Sequence, residues 1–170
     1  MPTTRVHDLD LYFDTFGDPT HDTVLLVSGL GAQCPVYDDE LCALLVGGGH
    51  HVVRYDNRDV GLSTHLDGAP ADAMSAFIAN ASGAPVDAAY TLSDMAADGI
   101  GLLDSLGIDS AHVLGSSMGG MIAQTMAIEH PTRVRSMVSV MSTTGDTSVG
   151  QAAPEVLGVL IGPPPTTRDE

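Results

Sequence analysis

The sequence predicts an α/β fold, in which a mostly parallel sheet carries helices on both faces. Two short, mostly apolar runs at 23–28 and 111–116 have the composition of buried strands, and a further strand is predicted at 51–56. Helical patterns separate these runs, and strands that alternate with helices form parallel sheets. Ligands collect at the carboxyl ends of such strands, so function is expected in the loops that follow them.

The first half of the chain contains three predicted strand regions and one helix. Residues 4–16 alternate apolar and polar side chains, which predicts one or two half-buried strands. The strand at 23–28 follows, and a helix predicted within 37–49 ends at consecutive glycines. After the strand at 51–56, a polar stretch rich in Gly, Pro and Ala continues to about residue 90.

The second half begins with a capped helix. Thr91 and Asp94 have the spacing of a capping box, which satisfies the first free N–H groups of a helix. A buried strand is predicted at 111–116, a helix at 118–131 and a further strand at 135–143.

The composition excludes several classes of function. The net charge is −16 and the chain has no lysine, so nucleic acid phosphates and anionic membrane surfaces would be repelled. A P-loop is excluded because it requires a lysine. No apolar run has the length of a membrane span, and no secretory signal is recognised, so a cytoplasmic location is expected. The acidic residues are interpreted as a solvated surface.

The two cysteines, Cys34 and Cys42, have no matching His or Cys pair and therefore do not form a zinc site. We expect two buried free thiols, with no metal and no cofactor.

A serine follows the strand at 111–116, within the run VLGSSMGGM. Gly115-Ser116-Ser117-Met118-Gly119 matches G-x-S-x-G, the pattern of a nucleophile elbow. In a chain with 19 glycines the pentapeptide alone is weak evidence. However, it lies between a buried strand and a helix, where an elbow places its serine on a tight, strained turn. Side chains two residues before or after this serine would collide with neighbouring elements.

Two backbone N–H groups are candidate donors to an oxyanion beside Ser117. The Met118 N–H lies at a predicted helix N-terminus, where developing negative charge is stabilised. The loop Gly29–Gly31 follows another central strand, and its Leu30 N–H is the second candidate. A plain strand-to-helix turn is the alternative interpretation of that loop.

Several segments in order resemble the α/β-hydrolase superfamily: LLVSGLGAQ, VVRYDNRDVGLST, YTLSDMAADGIGLLDSLGI, and the long run from AHVLGSSMGG to VMSTTG. The resemblance is strongest to esterases, including aclacinomycin methylesterase-like members. It implies a serine hydrolase acting on a small ester-like substrate, with Ser117 as nucleophile and with Leu30 and Met118 forming the oxyanion hole.

The resemblance also suggests roles for residues around these loops. Asp56, Arg58 and Gly61 match a structural loop motif of the family. Gln33 and Cys34 are placed near the substrate, where contact with the substrate and simple packing both remain open.

The chain departs from the family pattern at its end. The family orders its triad as serine, acid and then histidine, and here the sequence stops before the expected acid and base. The final PPPTTRDE resembles the entry into a cap. We therefore expect residues 1–150 to form the N-terminal part of a hydrolase core, truncated before its last strands, and 151–170 to begin a cap or linker. Such a chain alone is expected to be a poor catalyst. Because its last strand is left at the sheet edge, weak stability, self-association, or both are expected.

Most histidines are placed far from Ser117. His112 opens the strand that Ser117 follows, at about 16 Å along the strand, and His130 is about 20 Å away down the helix. Four others belong to the opposite end of the sheet or to the first strands: His7, His21, His50 and His51. His65 follows a strand's carboxyl end and is a candidate base or simply an exposed residue. Asp146 is similarly a candidate acid or a loop residue.

Three functions remain open from the sequence. The first is a serine hydrolase, for which ester, lactone, peroxyacid and C–C bond cleavage are all compatible. The second is a non-catalytic interaction protein on a hydrolase fold. The third is a dinucleotide-binding module at Gly29–Cys34, which reads G-x-G-x-x-C and lacks the third glycine.

Overall fold

The computed structural model describes residues 2–67 and 88–146, together with Val86, Val149, Ala153 and Val156. The strands are β1 (Thr3–Val6), β2 (Leu9–Phe16), β3 (Thr23–Val27), β4 (His51–Tyr55), β5 (Ala111–Ser116) and β6 (Val134–Val140). The helices are a short 3-10 helix (Cys34–Val36), α1 (Asp39–Gly47), α2 (Leu92–Ser105) and α3 (Met118–Glu129).

These strands form one sheet in the order β1-β2-β4-β3-β5-β6. The four strands from β4 to β6 are parallel, whereas β1 and β2 pair antiparallel with each other, and β2 pairs antiparallel with β4. The predicted mostly parallel sheet is thus confirmed, and the region predicted as one or two strands forms a hairpin.

The central strand β3 is buried along its whole length, because helices cover both of its faces. Leu25 and Val27 point into a core shared with α2 and α3, and Val24 and Leu26 point into a smaller core shared with α1. This alternation is the period-two pattern of a strand. It explains why the sequence of β3 is continuously apolar.

Side-chain caps begin both α1 and α2, and the sequence predicted the cap of α2. Thr91 and Asp94 form the predicted capping box at the start of α2. Asp38 caps α1 by accepting a hydrogen bond from the Leu41 N–H at 2.8 Å. Both caps satisfy N–H groups that have no partner inside the helix.

By internal contacts the chain divides into two units. The first comprises Met1–Asp67 and Tyr90–Gly145 and contains the sheet; the second comprises Gly68–Ala89 and Asp146–Glu170. In the second unit the Val149 N–H donates to the Asp146 carbonyl. The predicted cap or linker at 151–170 lies outside the described residues apart from Ala153 and Val156, so the predicted domain boundary stays a prediction. Among the described helices, none combines the length and the apolar character needed to cross a membrane.

Candidate active site

Ser117 is the single residue between the end of β5 and the start of α3. Its backbone has φ 56° and ψ −125°, and its side chain is exposed. A positive φ at a serine is unusual and strained, and it turns the side chain out of the sheet at the carboxyl end of β5. The tight, strained turn expected at this serine is therefore observed, and the nucleophilic role stays a prediction.

Glycines permit this turn because β5, α3 and β3 meet without space for side chains. A Cβ atom at Gly115 would overlap the backbone of Gly119, and one at Gly119 would overlap the carbonyl oxygen of Val27. The collisions that the sequence predicts for side chains at these two positions would therefore occur, with the backbone of Gly119 and of Val27. In addition, the Ser117 N–H donates to the Val140 carbonyl at 2.8 Å, which fixes this turn to the end of β6.

The loop after β3 lies against Ser117. A Cβ at Gly29 would stand 3.2 Å from the Cβ of Ser117 and 3.6 Å from its Oγ. Leu30, the next residue, exposes 73% of its surface, and Met118 is the first residue of α3, so its N–H has no partner within the helix. The loop and the helix N-terminus thus both adjoin Ser117. The convergence of the two N–H groups on one point stays a prediction.

Two side chains that follow β4 hold this loop in place. Asn57, which is 2% exposed, donates from Nδ2 to the Ser28 carbonyl at 3.0 Å. The Asp56 carboxylate accepts from the Cys34 N–H at 2.7 Å and from the Leu62 N–H at 2.9 Å. Sequence reasoning missed Asn57, although its place directly after β4, beside Asp56, was a usable signal.

The other two residues of the expected structural motif also make structural contacts. Gly61 has φ 57°, and a Cβ there would overlap the Asp56 carboxylate. Arg58 forms a two-point ion pair with buried Asp98, from Nε to Oδ2 at 2.7 Å and from Nη2 to Oδ1 at 2.8 Å. These contacts tie the loop after β4 to α2.

Gln33 and Cys34, placed near the substrate by resemblance, differ in exposure. Gln33 is exposed, whereas Cys34 is completely buried. Burial, followed by the nearby Asp56 charge, raises the pKa of the Cys34 thiol to about 12. Cys34 therefore packs in the interior. Both cysteines are free and buried, as predicted.

Tyr37 joins the end of β5 to β3, a contact that sequence reasoning did not anticipate. Its hydroxyl lies 2.9 Å from the Val27 carbonyl oxygen and 3.0 Å from the Ser116 Oγ. Nothing in the spacing of these residues signals the contact, because Tyr37 and Ser116 lie 79 positions apart in the chain.

The histidines of the described residues make contacts away from Ser117. His112 bonds through Nδ1 to Ser136 Oγ at 2.7 Å, and the His65 Nε2 lies 3.1 Å from the Gly61 carbonyl. Within residues 2–67 and 88–146, no histidine side chain hydrogen-bonds to Ser117. Asp146, the candidate acid, belongs to the second unit.

Fold and site together define a doubly wound α/β protein with a strand–serine–helix turn at the carboxyl edge of its sheet. A family model described as the alpha/beta hydrolase fold matches residues 22–162. The chain therefore belongs to the α/β-hydrolase family.

Curated relatives match a large part of this chain. It is 30% identical over 143 residues to a rhodomycin D methylesterase of Streptomyces peucetius, covering 83% of this chain and 42% of the relative. It is 32% identical over 132 residues to a protein of Variovorax paradoxus named as a carbamate hydrolase, covering 78% and 42%. The chain thus spans about two-fifths of the length of these relatives.

Solved structures support the same fold. The 2-hydroxy-6-oxo-6-phenylhexa-2,4-dienoate hydrolase of Rhodococcus sp. strain RHA1 superposes with a TM-score of 0.69 at 23% identity, over 89% of this chain and 48% of that one. The enol-lactonase of Burkholderia xenovorans LB400 gives a TM-score of 0.67 at 24% identity, over 83% and 46%. The predicted fold class is confirmed.

Proposed function

We propose that this chain carries the nucleophile and oxyanion elements of a serine hydrolase, with Ser117 as the attacking residue. The observation that carries the proposal is the positive φ of Ser117 at an exposed turn between β5 and α3. A strained serine at this position is what a nucleophile elbow requires, because the turn presents Oγ to the substrate and leaves the helix N-terminus beside it.

The proposed reaction is acyl transfer. The Ser117 Oγ attacks the carbonyl carbon of the substrate, and a base takes the serine proton. The Leu30 and Met118 N–H groups donate to the oxygen that becomes negative. The tetrahedral intermediate then expels its leaving group with that proton, and water hydrolyses the acyl-enzyme.

The base and the acid of this reaction are proposed to come from outside the described residues. The support is that no described histidine side chain hydrogen-bonds to Ser117, whereas His65 bonds to the Gly61 carbonyl and His112 to Ser136. A serine without a base is a weak nucleophile, so residues 1–170 alone are proposed to turn over slowly.

The proposed substrate is a small carboxylic ester, with a carbamate as the second candidate. This choice rests on the relatives named as a methylesterase and a carbamate hydrolase. Both groups present a carbonyl with an attached leaving group, which one serine and one oxyanion hole can process.

A fluorophosphonate probe followed by mass spectrometry tests the nucleophile. We expect slow labelling confined to Ser117, abolished in Ser117→Ala and unchanged in Ser93→Ala, which removes a hydroxyl on the exposed face of α2. Labelling at other serines, or equal labelling of Ser117→Ala, would reject the nucleophile and favour a non-catalytic interaction protein. Turnover of p-nitrophenyl esters within tenfold of an ordinary esterase, lost in Ser117→Ala, would instead place a working base within this chain.

We also propose that β6 mediates self-association. Among the described strands β6 pairs only with β5, and Met137, Val138 and Val140 are 40%, 50% and 39% exposed. The strand contains no acidic residue, although the chain has 22 Asp and Glu. Arg135, the one charged residue of β6, pairs with Asp22. Two copies can therefore pair along this edge against the repulsion between two acidic chains, and each would satisfy the other's unpaired N–H and C=O groups at the edge.

A further inference from the structure

We infer that Tyr37 is a positioning residue that holds the turn at Ser117 and the loop Gly29–Gly31 at a fixed distance from each other. It thereby leaves Ser117, rather than Ser116, free to attack. The inference rests on the proposed function and deepens it, because it concerns how this chain arranges the same site.

The Tyr37 hydroxyl occupies the point where the two central strands separate. Pairing between β3 and β5 ends at Val27 and Gly115. Beyond that pair, β3 continues into the loop that carries Leu30, and β5 continues through Ser116 into the elbow. The Tyr37 hydroxyl contacts the Val27 carbonyl at 2.9 Å and the Ser116 Oγ at 3.0 Å. It thereby continues the link between the strands past their last backbone pair.

The direction of the two hydrogen bonds follows from counting protons. A carbonyl oxygen only accepts, so the single Tyr37 proton is donated to Val27. The Ser116 hydroxyl must then donate to the Tyr37 oxygen. Its proton is committed to a residue that is only 7% exposed.

This arrangement distinguishes the two adjacent serines. Ser116 ends β5, is half-buried and bonds to Tyr37, whereas Ser117 is exposed and forms no side-chain cap to α3. The Ser117 hydroxyl is therefore the one that remains available to a base and a substrate.

Tyr37 is itself held firmly enough to act in this way. Its ring packs in the smaller core with Val24, Leu26 and Val52. The buried Arg54 side chain donates from Nη1 to the Tyr37 carbonyl and pairs with Asp14 at 3.0 Å. A hydroxyl on a fixed ring loses little freedom when it bonds, so the distance between loop and elbow is well determined.

Tyr37→Phe removes both hydrogen bonds and keeps the ring in its core. We expect the maximal rate of fluorophosphonate labelling at Ser117 to fall about three- to tenfold, as for the loss of one or two net hydrogen bonds, with the half-saturating probe concentration unchanged. Tyr90→Phe is the matched control, because its ring lies over Arg58, outside the Arg54–Asp14 pair that holds Tyr37. Its labelling rate should equal that of the wild type.

Ser116→Ala provides a second variant that removes the bridge from the other side. It should slow labelling in the wild-type background and have no further effect in Tyr37→Phe, a coupling that general destabilisation would not produce. Rates are compared where circular dichroism shows every variant to be folded. If Tyr37→Phe is labelled at the wild-type rate, or if the effects of the two substitutions are additive, the positioning role of Tyr37 is overturned. The proposed function would be unaffected by either result. Failure of the wild type to label at Ser117 would overturn the proposed function and this inference together.

Discussion

Gly119 at the start of α3 lies directly against Val27 at the end of β3: a Cβ atom at position 119 would overlap the Val27 carbonyl oxygen. Backbone is less able to move aside than a side chain. The contact therefore fixes the height at which α3 begins above the sheet, and with it the position of Ser117.

Gly119→Ala should destabilise the protein by about 3 kcal/mol or more, because the added methyl group meets backbone on a neighbouring strand. Gly47→Ala is the matched control. Position 47 is the last residue of α1 and has nothing within 4 Å of an added Cβ, so alanine there should be neutral or stabilise by about 0.5–1 kcal/mol. Urea unfolding measures both, and equal stability of the two variants would contradict the close approach.

Asp98→Ala should cost about 3 kcal/mol in the free energy of unfolding. Asp98 is 2% exposed and holds Arg58 through two hydrogen bonds, and removing one partner of a buried pair leaves the other charge without compensation. Arg5→Ala, which breaks the exposed pair with Asp10, should change stability by less than about 1 kcal/mol. Thermal unfolding of both variants measures the two losses of stability. Similar losses would show that the Arg58–Asp98 pair contributes no more than the exposed pair.

The free energy of unfolding should fall as the pH is lowered through about 6.5, with His51 contributing. Burial lowers the pKa of His51 below its usual value, so the folded state prefers the neutral ring while the unfolded state takes up a proton near its ordinary pKa of about 6.5. The contribution is therefore complete above that pH and is lost as the pH falls through and below it. Asp18, the nearby charge, opposes this shift.

Comparison with His51→Asn isolates the contribution of His51 from those of other histidines. The Asn amide atoms occupy about the position of the His51 Nδ1, which lies 3.1 Å from the Thr23 hydroxyl, so this contact can be kept. The free energy of unfolding of this variant, measured by chemical denaturation, should fall less than that of the wild type between about pH 8 and pH 5.5. Parallel curves for the two proteins would exclude a role for His51.

The native protein should resist thiol reagents. Cys34 and Cys42 are completely buried, and burial raises the pKa of both thiols, so neither supplies the reactive thiolate. Ellman's reagent at about pH 8 should detect no thiol in the folded protein and two after unfolding. Rapid labelling of one thiol in the native state would show that its pocket is open.

Val138→Lys should weaken self-association, because a charge on the exposed strand β6 opposes pairing of its edge. Leu44→Lys is the control: Leu44 is 69% exposed on α1 and receives the same charge away from the edge. Sedimentation velocity over a range of concentrations should show association for the wild type and Leu44→Lys, and less for Val138→Lys. A wild type that is monomeric throughout, or equal association of all three, would reject the β6 interface.

Much of the fold was predictable because its signals are local. The apolar runs of β3 and β5, the capping box at Thr91 and the glycines around Ser117 each report on a strand, a helix end or a turn within a few residues. The sequence alone therefore determined the α/β class, the order of most elements, and the serine between β5 and α3.

The tertiary structure decided what separate segments do to one another. Tyr37 and Ser116 share a hydrogen bond, Asn57 holds the Ser28 carbonyl, and Arg58 pairs with Asp98 40 positions away. Such contacts depend on strand order, on register and on the height of each helix above the sheet. Those quantities are set by the packing of the whole core, and no local pattern encodes them. The sequence thus indicated which serine follows the strand, and only the folded chain determined which hydroxyl is held and which is free.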